Sequence, residues 1–274
     1  YQLGLDDNGD AQKARGKRIR PLIVLMSCQA AGGDWQNSLP AAAAVEMVHN
    51  FSLIHDDIQD RSEMRRGRPT IWKKWGEAQA INAGDAMLGL AVFSLLKYPH
   101  ELGEKKLLKA VDLLQLACLK LTRGQHLDIA FEDKNELPLE LYWQMVEGKT
   151  GALLGTSLGL GALIAGVSDD QVHELVEIGI KIGKAFQVQD DWLGIWGDSS
   201  LTGKSVESDL SSGKKTLPVL YGLSKNGAFA RRWMAGKIAP EEVPAVAQLL
   251  REEGAHAYTR ETAGRLTEQS LDAL

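Results

Sequence analysis

Apolar side chains recur along most of this chain at steps of three and four residues, the period of a helix that turns one face to a core. From residue 40 to residue 58 the apolar or small positions Ala44, Val45, Val48, Phe51, Ser52 and His55 trace one helical side, where a strand would alternate. The same period predicts helices over residues 72–96, 105–131, 140–164, 169–193 and 241–274. Breaks fall where glycine, proline and short polar residues gather, at 32–34, 66–69, 98–99, 133–138, 166–169, 197–213 and 236–240. None has the composition of an interdomain linker, and no internal repeat or low-complexity tract is present. The stretch 197–215 mixes Ser and Gly with charge and reads as a mobile functional loop. The expectation is an all-α fold, residues 1–274 forming one domain and a single bundle of about ten helices.

Composition narrows the function classes. Hydrophobic residues make up 44% and charged residues 24%, so the chain has the means to build a core. With 31 basic against 36 acidic residues the net charge is −5, which argues against a surface for nucleic acid or anionic membrane; any phosphate chemistry must be local. Cys28 and Cys118 lie in apolar stretches without a Cys-x-x-Cys pair or Cys/His cluster, and read as buried thiols. No signal peptide opens the chain, and Tyr1 in place of Met implies a short stretch ahead of it; a reducing cytoplasm fits. The one stretch suggestive of a membrane span, 151–167, has 17 residues with five Gly, too short and too weakly apolar, so a buried helix and no transmembrane segment is expected.

Two acidic motifs carry the chemistry. Asp56 and Asp60 stand four residues apart, so on a helix their carboxylates share one side, about 6 Å apart along the axis. Such a pair repels itself unless a cation sits between, and oxygen-only ligands at that spacing suit Mg²⁺, which keeps its waters and takes one or two carboxylates plus substrate phosphates. A second set, Gln187-Val-Gln-Asp190-Asp191, again follows an apolar helical run. Taken singly each set would be an ordinary solvated helix end. Both, however, terminate core-facing segments, and both are followed by clustered cations: Arg65 and Arg66 after the first, Lys204, Lys214 and Lys215 after the second. Together they describe a magnesium–diphosphate pocket. Gly148-Lys149-Thr150 has the ending of a phosphate-binding Walker loop, but Trp143 occupies the required first glycine and no strand precedes it.

The order of landmarks resembles the trans-prenyltransferases of the polyprenyl diphosphate synthase family from about residue 16 onward: Gly-Lys-Arg-Ile-Arg-Pro at 16–21, His49, Asp-Asp-Ile-Gln-Asp at 56–60, Arg65-Arg66-Gly67, Gly124-Gln125 with Asp128, Lys149-Thr150, Phe186-Gln187 with Asp190-Asp191, and Gly213-Lys214-Lys215-Thr216. The resemblance implies helices around a central cavity, with Asp56, Asp60 and Asp190 binding three Mg²⁺ ions bridged by an allylic diphosphate. It implies support for those ligands from Asp57 and Asp191. Arg65, Lys149, Lys204 and Lys214 would neutralise that diphosphate, while Lys17, Arg20, His49 and Arg66 would hold isopentenyl diphosphate. Thr150 and Gln187 would aim oxygen dipoles at the developing allylic cation, and Gln125 and Asp128 would line the pocket. His55 is expected to be structural, and Arg18 and Lys215 to be solvated charges.

The second motif departs from the pattern, with Gly194 where many members carry a third Asp, and Asp209 is a candidate to compensate. Family likeness makes Phe51 the floor of the hydrocarbon pocket and favours geranylgeranyl diphosphate as product. Helical arithmetic sets Ser52 nearer the Asp56 side, so the floor is assigned by family likeness and not by geometry; farnesyl and longer products stay open, since Val48 and residues on facing helices also bear on the depth. A noncatalytic partner subunit is opposed by the intact acidic and basic residues, and a terpene cyclase would leave Lys17, Arg20 and Arg66 without a second diphosphate to bind. The family is usually homodimeric.

Overall fold

A computed structural model describes residues 1–2, 16–97, 103–132, 134, 137–197 and 209–274. Its elements run α1 (Ile19–Ala30), α2 (Leu39–Gln59), β1 (Met64–Arg65), β2 (Arg68–Pro69), α3 (Ile71–Trp75), α4 (Glu77–Leu96), α5 (Glu104–Glu132), α6 (Leu139–Val146), a π-helical turn (Glu147–Gly151), α7 (Ala152–Ala165), α8 (Asp169–Trp196), α9 (Leu217–Ser224), α10 (Ala228–Met234), α11 (Val243–Glu252) and α12 (Ala255–Leu271), with short 3₁₀ turns before α2 and α11. The fold is all-α, since two-residue strands are the whole of the sheet among the described residues.

The helical period reads through three interruptions. Residues 72–96 divide into α3 and α4 because Gly76 adopts φ 87°, a left-handed conformation that stops a helix. Gly254, at φ 89°, likewise separates α11 from α12. Over 140–164 the chain stays helical, but the five residues Glu147–Gly151 are wound as a π turn. The break at 66–69 becomes a hairpin in which β1 and β2 pair Arg65 with Arg68. Arg66 (φ 52°) and Gly67 (φ 74°) occupy its tip, meeting the demand for two positive φ values in a tight two-residue loop.

The described chain divides into two compact units: Tyr1–Cys118 with Leu153–Val176, and Leu119–Ala152 with Glu177–Leu274. The boundaries at 118/119 and 176/177 fall within α5 and α8, so each of these helices contributes to both units.

In the first unit α7 is buried from Leu153 to Ile164, as an all-round apolar helix must be. Its small residues admit a close neighbour: a Cβ on Gly161 would collide with the Val24 carbonyl of α1, and the Ser27 hydroxyl donates to the Leu158 carbonyl at 2.7 Å. Packing of α2 on α4 has the same basis, because the His55 ring fills the space a side chain on Gly84 would take. In the second unit Tyr142, Val146, Val188, Leu217, Leu220 and Ala263 form one core cluster, and Leu210, Val219, Phe229, Ile238, Val246 and Leu250 belong to another. Among the described residues one helix, α4, is long and apolar enough to cross a membrane; 22% of that stretch is buried, and Ile81, Leu90, Phe93 and Leu96 are exposed.

Candidate active site

In the first unit the last turn of α2 carries three carboxylates with different surroundings. Asp57 is 2% exposed and its Oδ1 accepts from Arg65 Nε at 2.8 Å. Burial pushes the Asp57 carboxyl up, and the Arg65 guanidinium opposes that shift. Its backbone carbonyl also receives the Ser62 N–H at 3.0 Å, so Asp57 ties the hairpin to the helix. Asp56 is half-buried and Asp60, the C-cap, is exposed, linked by the bond from Asp60 N to Asp56 O at 2.8 Å. The neighbouring cation Arg61 is drawn to Glu77 of α4. Asp56 and Asp60 therefore offer oxygen donors at helical i,i+4 spacing, the donor set of a hard, hydrated divalent ion.

The same unit gathers cations around His49. Its imidazole is pushed down to about 3, by burial first and then by Arg20, Arg66 and Arg65. Burial is also the main cause lowering Arg20 and Arg66. Arg20 Nε is buried and has no hydrogen-bond partner among the described residues. Arg66 lies against Gly16, where a Cβ would run into its guanidinium, so the absence of a side chain at 16 brings the segment leading to exposed Lys17 and to α1 onto the hairpin tip. A small cleft beside it is lined by Tyr1, Gln2, Arg65, Arg66, Arg68, Pro69 and Thr70. Guanidiniums withdrawn from water around a neutral imidazole invite an anion with several acceptor oxygens. Sequence reading missed Glu46, whose charge acts on both Arg20 and Arg66 and whose Oε1 accepts from Asn50 Nδ2 at 3.0 Å. Its position three residues before His49, on the same helical side, was the available signal.

Phe51 is 8% exposed, its ring edge-on to His55 at 5.4 Å between centroids. His55 itself is seated at Gly84 with Nε2 3.4 Å from the Ile81 carbonyl and 3.7 Å from Asp85. That is a helix-packing role.

In the second unit, α5 and the π turn touch backbone to backbone. A Cβ on Gly124 would collide with Lys149 N, and one on Gly148 would meet the Lys120 carbonyl at 2.6 Å. Gly148 thus serves a helix crossing. Lys149 is paired with Asp128, and Gln125 is buried one residue beyond Gly124. A π turn holding a cation and a hydroxyl is a recurrent device of functional sites. Thr150 Oγ1 donates to Gln187 Oε1 at 2.8 Å, and Gln187 Nε2 donates to Asp191 Oδ1 at 2.8 Å.

Asp191 is the hub of this network. It is 4% exposed, and its Oδ2 accepts both from Tyr142 OH at 2.7 Å and from Leu217 N at 2.9 Å, at the first residue of α9. Burial pushes its carboxyl up to about 6 against the three hydrogen bonds that hold it down. Tyr142 escaped sequence reading, although a tyrosine on the buried side of an apolar helix needs a partner for its hydroxyl. Asp190, one residue earlier, is half-buried. Lys214 is exposed, whereas Lys215, expected to be a solvated charge, donates to the Glu132 carbonyl at 2.8 Å and closes the C-terminal end of α5. Lys204 falls outside the described residues. Among the described residues no three His, Cys, Asp or Glu side chains form a ready-made metal cage.

Residues 8–251 match the family model described as Polyprenyl synthetase. A relative named (2E,6E)-farnesyl diphosphate synthase, from Mycobacterium tuberculosis, is 43% identical over 99% of this chain and 77% of its own length. A geranylgeranyl diphosphate synthase from Methanosarcina mazei is 39% identical over 95% of this chain and 80% of its own. Among solved structures, the geranylgeranyl pyrophosphate synthetase from Pyrococcus horikoshii superposes with a TM-score of 0.88 at 35% identity, covering 94% of this chain and 79% of that one.

Proposed function

Because this chain belongs to the polyprenyl synthetase family, we propose that it is a prenyl diphosphate synthase joining isopentenyl diphosphate to an allylic diphosphate (dimethylallyl, geranyl or farnesyl) with the help of magnesium. The observation that carries the residue assignment is the split use of each adjacent acid pair. Asp57 and Asp191 are withdrawn into buried hydrogen bonds, while Asp56, Asp60 and Asp190 keep solvent access. The donor set fits Mg²⁺: carboxylate oxygens alone, too few to strip its waters, with substrate oxygens to complete the shell. We assign three ions to Asp56, Asp60 and Asp190. When bound, the metal offsets the charge of the departing diphosphate.

The chain's own groups do the rest. Arg65, held by Asp57, and Lys149, held by Asp128, are preorganised cations for the allylic diphosphate, joined by Lys204 and Lys214. Lys17, Arg20, His49 and Arg66 take the isopentenyl diphosphate, His49 as a neutral hydrogen-bonding group. Thr150 and Gln187 present oxygen dipoles to the allylic cation, and Gln125 and Asp128 line that side. The alkene attacks without activation by a protein base, so alignment supplies the remaining acceleration and the released diphosphate takes the last proton. The test is Asp56→Ala, which removes a ligand from a solvent-facing turn: turnover falls by about 10³ or more while the unfolding midpoint holds. Wild-type-like turnover would refute the assignment. Turnover by the purified chain alone with magnesium separates an enzyme from a noncatalytic partner subunit.

We assign geranylgeranyl diphosphate as product, with Phe51 as floor. A 43%-identical relative named for farnesyl diphosphate keeps the shorter product as the second reading, decided by chromatography of the products. The exposed Ile81, Leu90, Phe93 and Leu96 of α4 suit burial against a second copy of the chain, giving a cytoplasmic homodimer without a transmembrane segment. Phe93→Glu then yields monomers in light scattering; an unchanged mass refutes this use of α4.

A further inference from the structure

The hairpin that carries Arg65 and Arg66 is too short to hold itself: β1 and β2 contribute two residues each, and an isolated two-stranded ribbon is marginal at best in water. Its open end is pinned where Thr70 Oγ1 and Trp72 Nε1 both donate to the Ser62 carbonyl at 2.8 Å. Strand β2 is also held by a residue distant in the chain. The Tyr1 hydroxyl donates to the Pro69 carbonyl at 2.8 Å. The Tyr1 ring stands edge-on to Trp75 of α3 at 5.0 Å between centroids, and Lys74 Nζ lies 4.5 Å from the centre of each of these rings. The Arg68 guanidinium of β2 comes within 5.6 Å of the same Tyr1 ring, which also packs on the small core of Ile54, Ile71 and Ala80. One side chain thus fastens β2 to α3, on the rim of the cleft it shares with Arg65, Arg66 and Thr70.

We propose that Tyr1 is a positioning residue for isopentenyl diphosphate, fixing the hairpin so that Arg66 presents its guanidinium to that substrate. The inference rests on the proposed assignment of Arg66 to isopentenyl diphosphate. Arg65 has an anchor of its own, the bond from its Nε to Asp57 at 2.8 Å, so it keeps its aim when the hairpin loosens. Arg66 sits at the tip with φ 52°, a conformation that a residue with a side chain seldom adopts unaided, so its placement depends on how the strands beneath it are held. The Tyr1 ring also offers Arg68 a π face, which engages the third arginine of the hairpin apart from the two assigned to diphosphates.

The test is steady-state kinetics of the purified full chain with magnesium, varying each diphosphate in turn. Tyr1→Ala raises KM for isopentenyl diphosphate about tenfold or more, while the allylic KM stays within about threefold and kcat within about twofold of wild type. Tyr1→Phe keeps the ring against Trp75, Lys74 and Arg68 and drops only the bond to Pro69, so the same KM rises about threefold. Loss of packing alone would instead lower the active fraction, and with it kcat, leaving both KM values where they were. Added to Arg66→Gln, Tyr1→Ala changes the isopentenyl KM by no more than about twofold, because the side chain it positions is already gone. An unchanged isopentenyl KM in Tyr1→Ala overturns the inference, as does an equal rise in both KM values or full additivity with Arg66→Gln. Arg66→Gln alone separates the two levels. If it leaves the isopentenyl KM unmoved, the substrate assignment of Arg66 fails and the inference with it; if it raises that KM and Tyr1→Ala does not, the role of Tyr1 alone fails.

Discussion

Lowering the pH should destabilise this protein through His49, and the size can be worked from its surroundings. An unfolded histidine titrates near 6.5, whereas His49 is held at about 3 by burial and by Arg20, Arg66 and Arg65. Above the unfolded value both states are neutral and the group contributes nothing. As pH falls through 6.5 the unfolded chain gains a proton that the folded one refuses, so stability drops until the folded value is reached. At about pH 5 the loss is on the order of 2 kcal/mol relative to neutral pH, or roughly 4–8 °C in the unfolding midpoint for a chain of this size. Asp191 works the other way: its carboxyl, raised to about 6, takes up a proton in the folded state first and adds stability as pH falls toward the ordinary carboxylate range. The wild-type profile alone is therefore flattened. The decisive quantity is the difference between wild type and His49→Gln, followed by differential scanning calorimetry from neutral pH to about pH 5 without substrates. The wild type should lose ground on the variant steadily over that range. Parallel profiles would mean that the imidazole is protonated as readily in the folded protein, and that the guanidiniums do not surround it.

Other expectations follow from packing. Phe51→Ala empties an 8%-exposed site, costing about 3–5 kcal/mol, and lengthens the product by at least one five-carbon unit in chromatography; unchanged length removes Phe51 as floor. Gly124→Ala drives a methyl into the Lys149 backbone and costs about 1–3 kcal/mol in denaturant unfolding despite alanine's better helix propensity, whereas added stability would contradict the crossing. Tyr142→Phe removes one donor from Asp191 and costs about 1.5–3 kcal/mol, with Asp191 remaining tied to Gln187 and Leu217; a neutral effect on unfolding would show that the hydroxyl bond is not formed in solution.

Much of the fold was legible in the sequence because a 3.6-residue period survives every local irregularity. Residues 105–131 emerge as α5 within a residue at each end, and 169–193 as the body of α8. The divisions at Gly76 and Gly254 were harder, since isolated glycines are tolerated within helices and only the backbone conformation says which one stops a helix. The acidic motifs could be read from spacing, but spacing cannot tell Asp56 from Asp57 or Asp190 from Asp191. The distinction depends on partners far along the chain, such as Tyr142 and Leu217 for Asp191. Gly148 illustrates the opposite hazard: a glycine suggestive of phosphate binding proves to permit a helix crossing that involves Lys120 and Gly124.

The π winding at Glu147–Gly151 makes residue count a functional variable. Deleting a single residue there would let the amides return to ordinary α spacing and fuse α6 with α7 into one regular rod. Because a π turn spends one more residue on nearly the same rotation, α7 would keep its facing, and the residues of the turn itself would be re-aimed. Such a helix would gain in local regularity, yet Lys149 would leave Asp128 and Thr150 would leave Gln187. In this stretch a shortened sequence could fold more comfortably and work worse, with no functional side chain substituted.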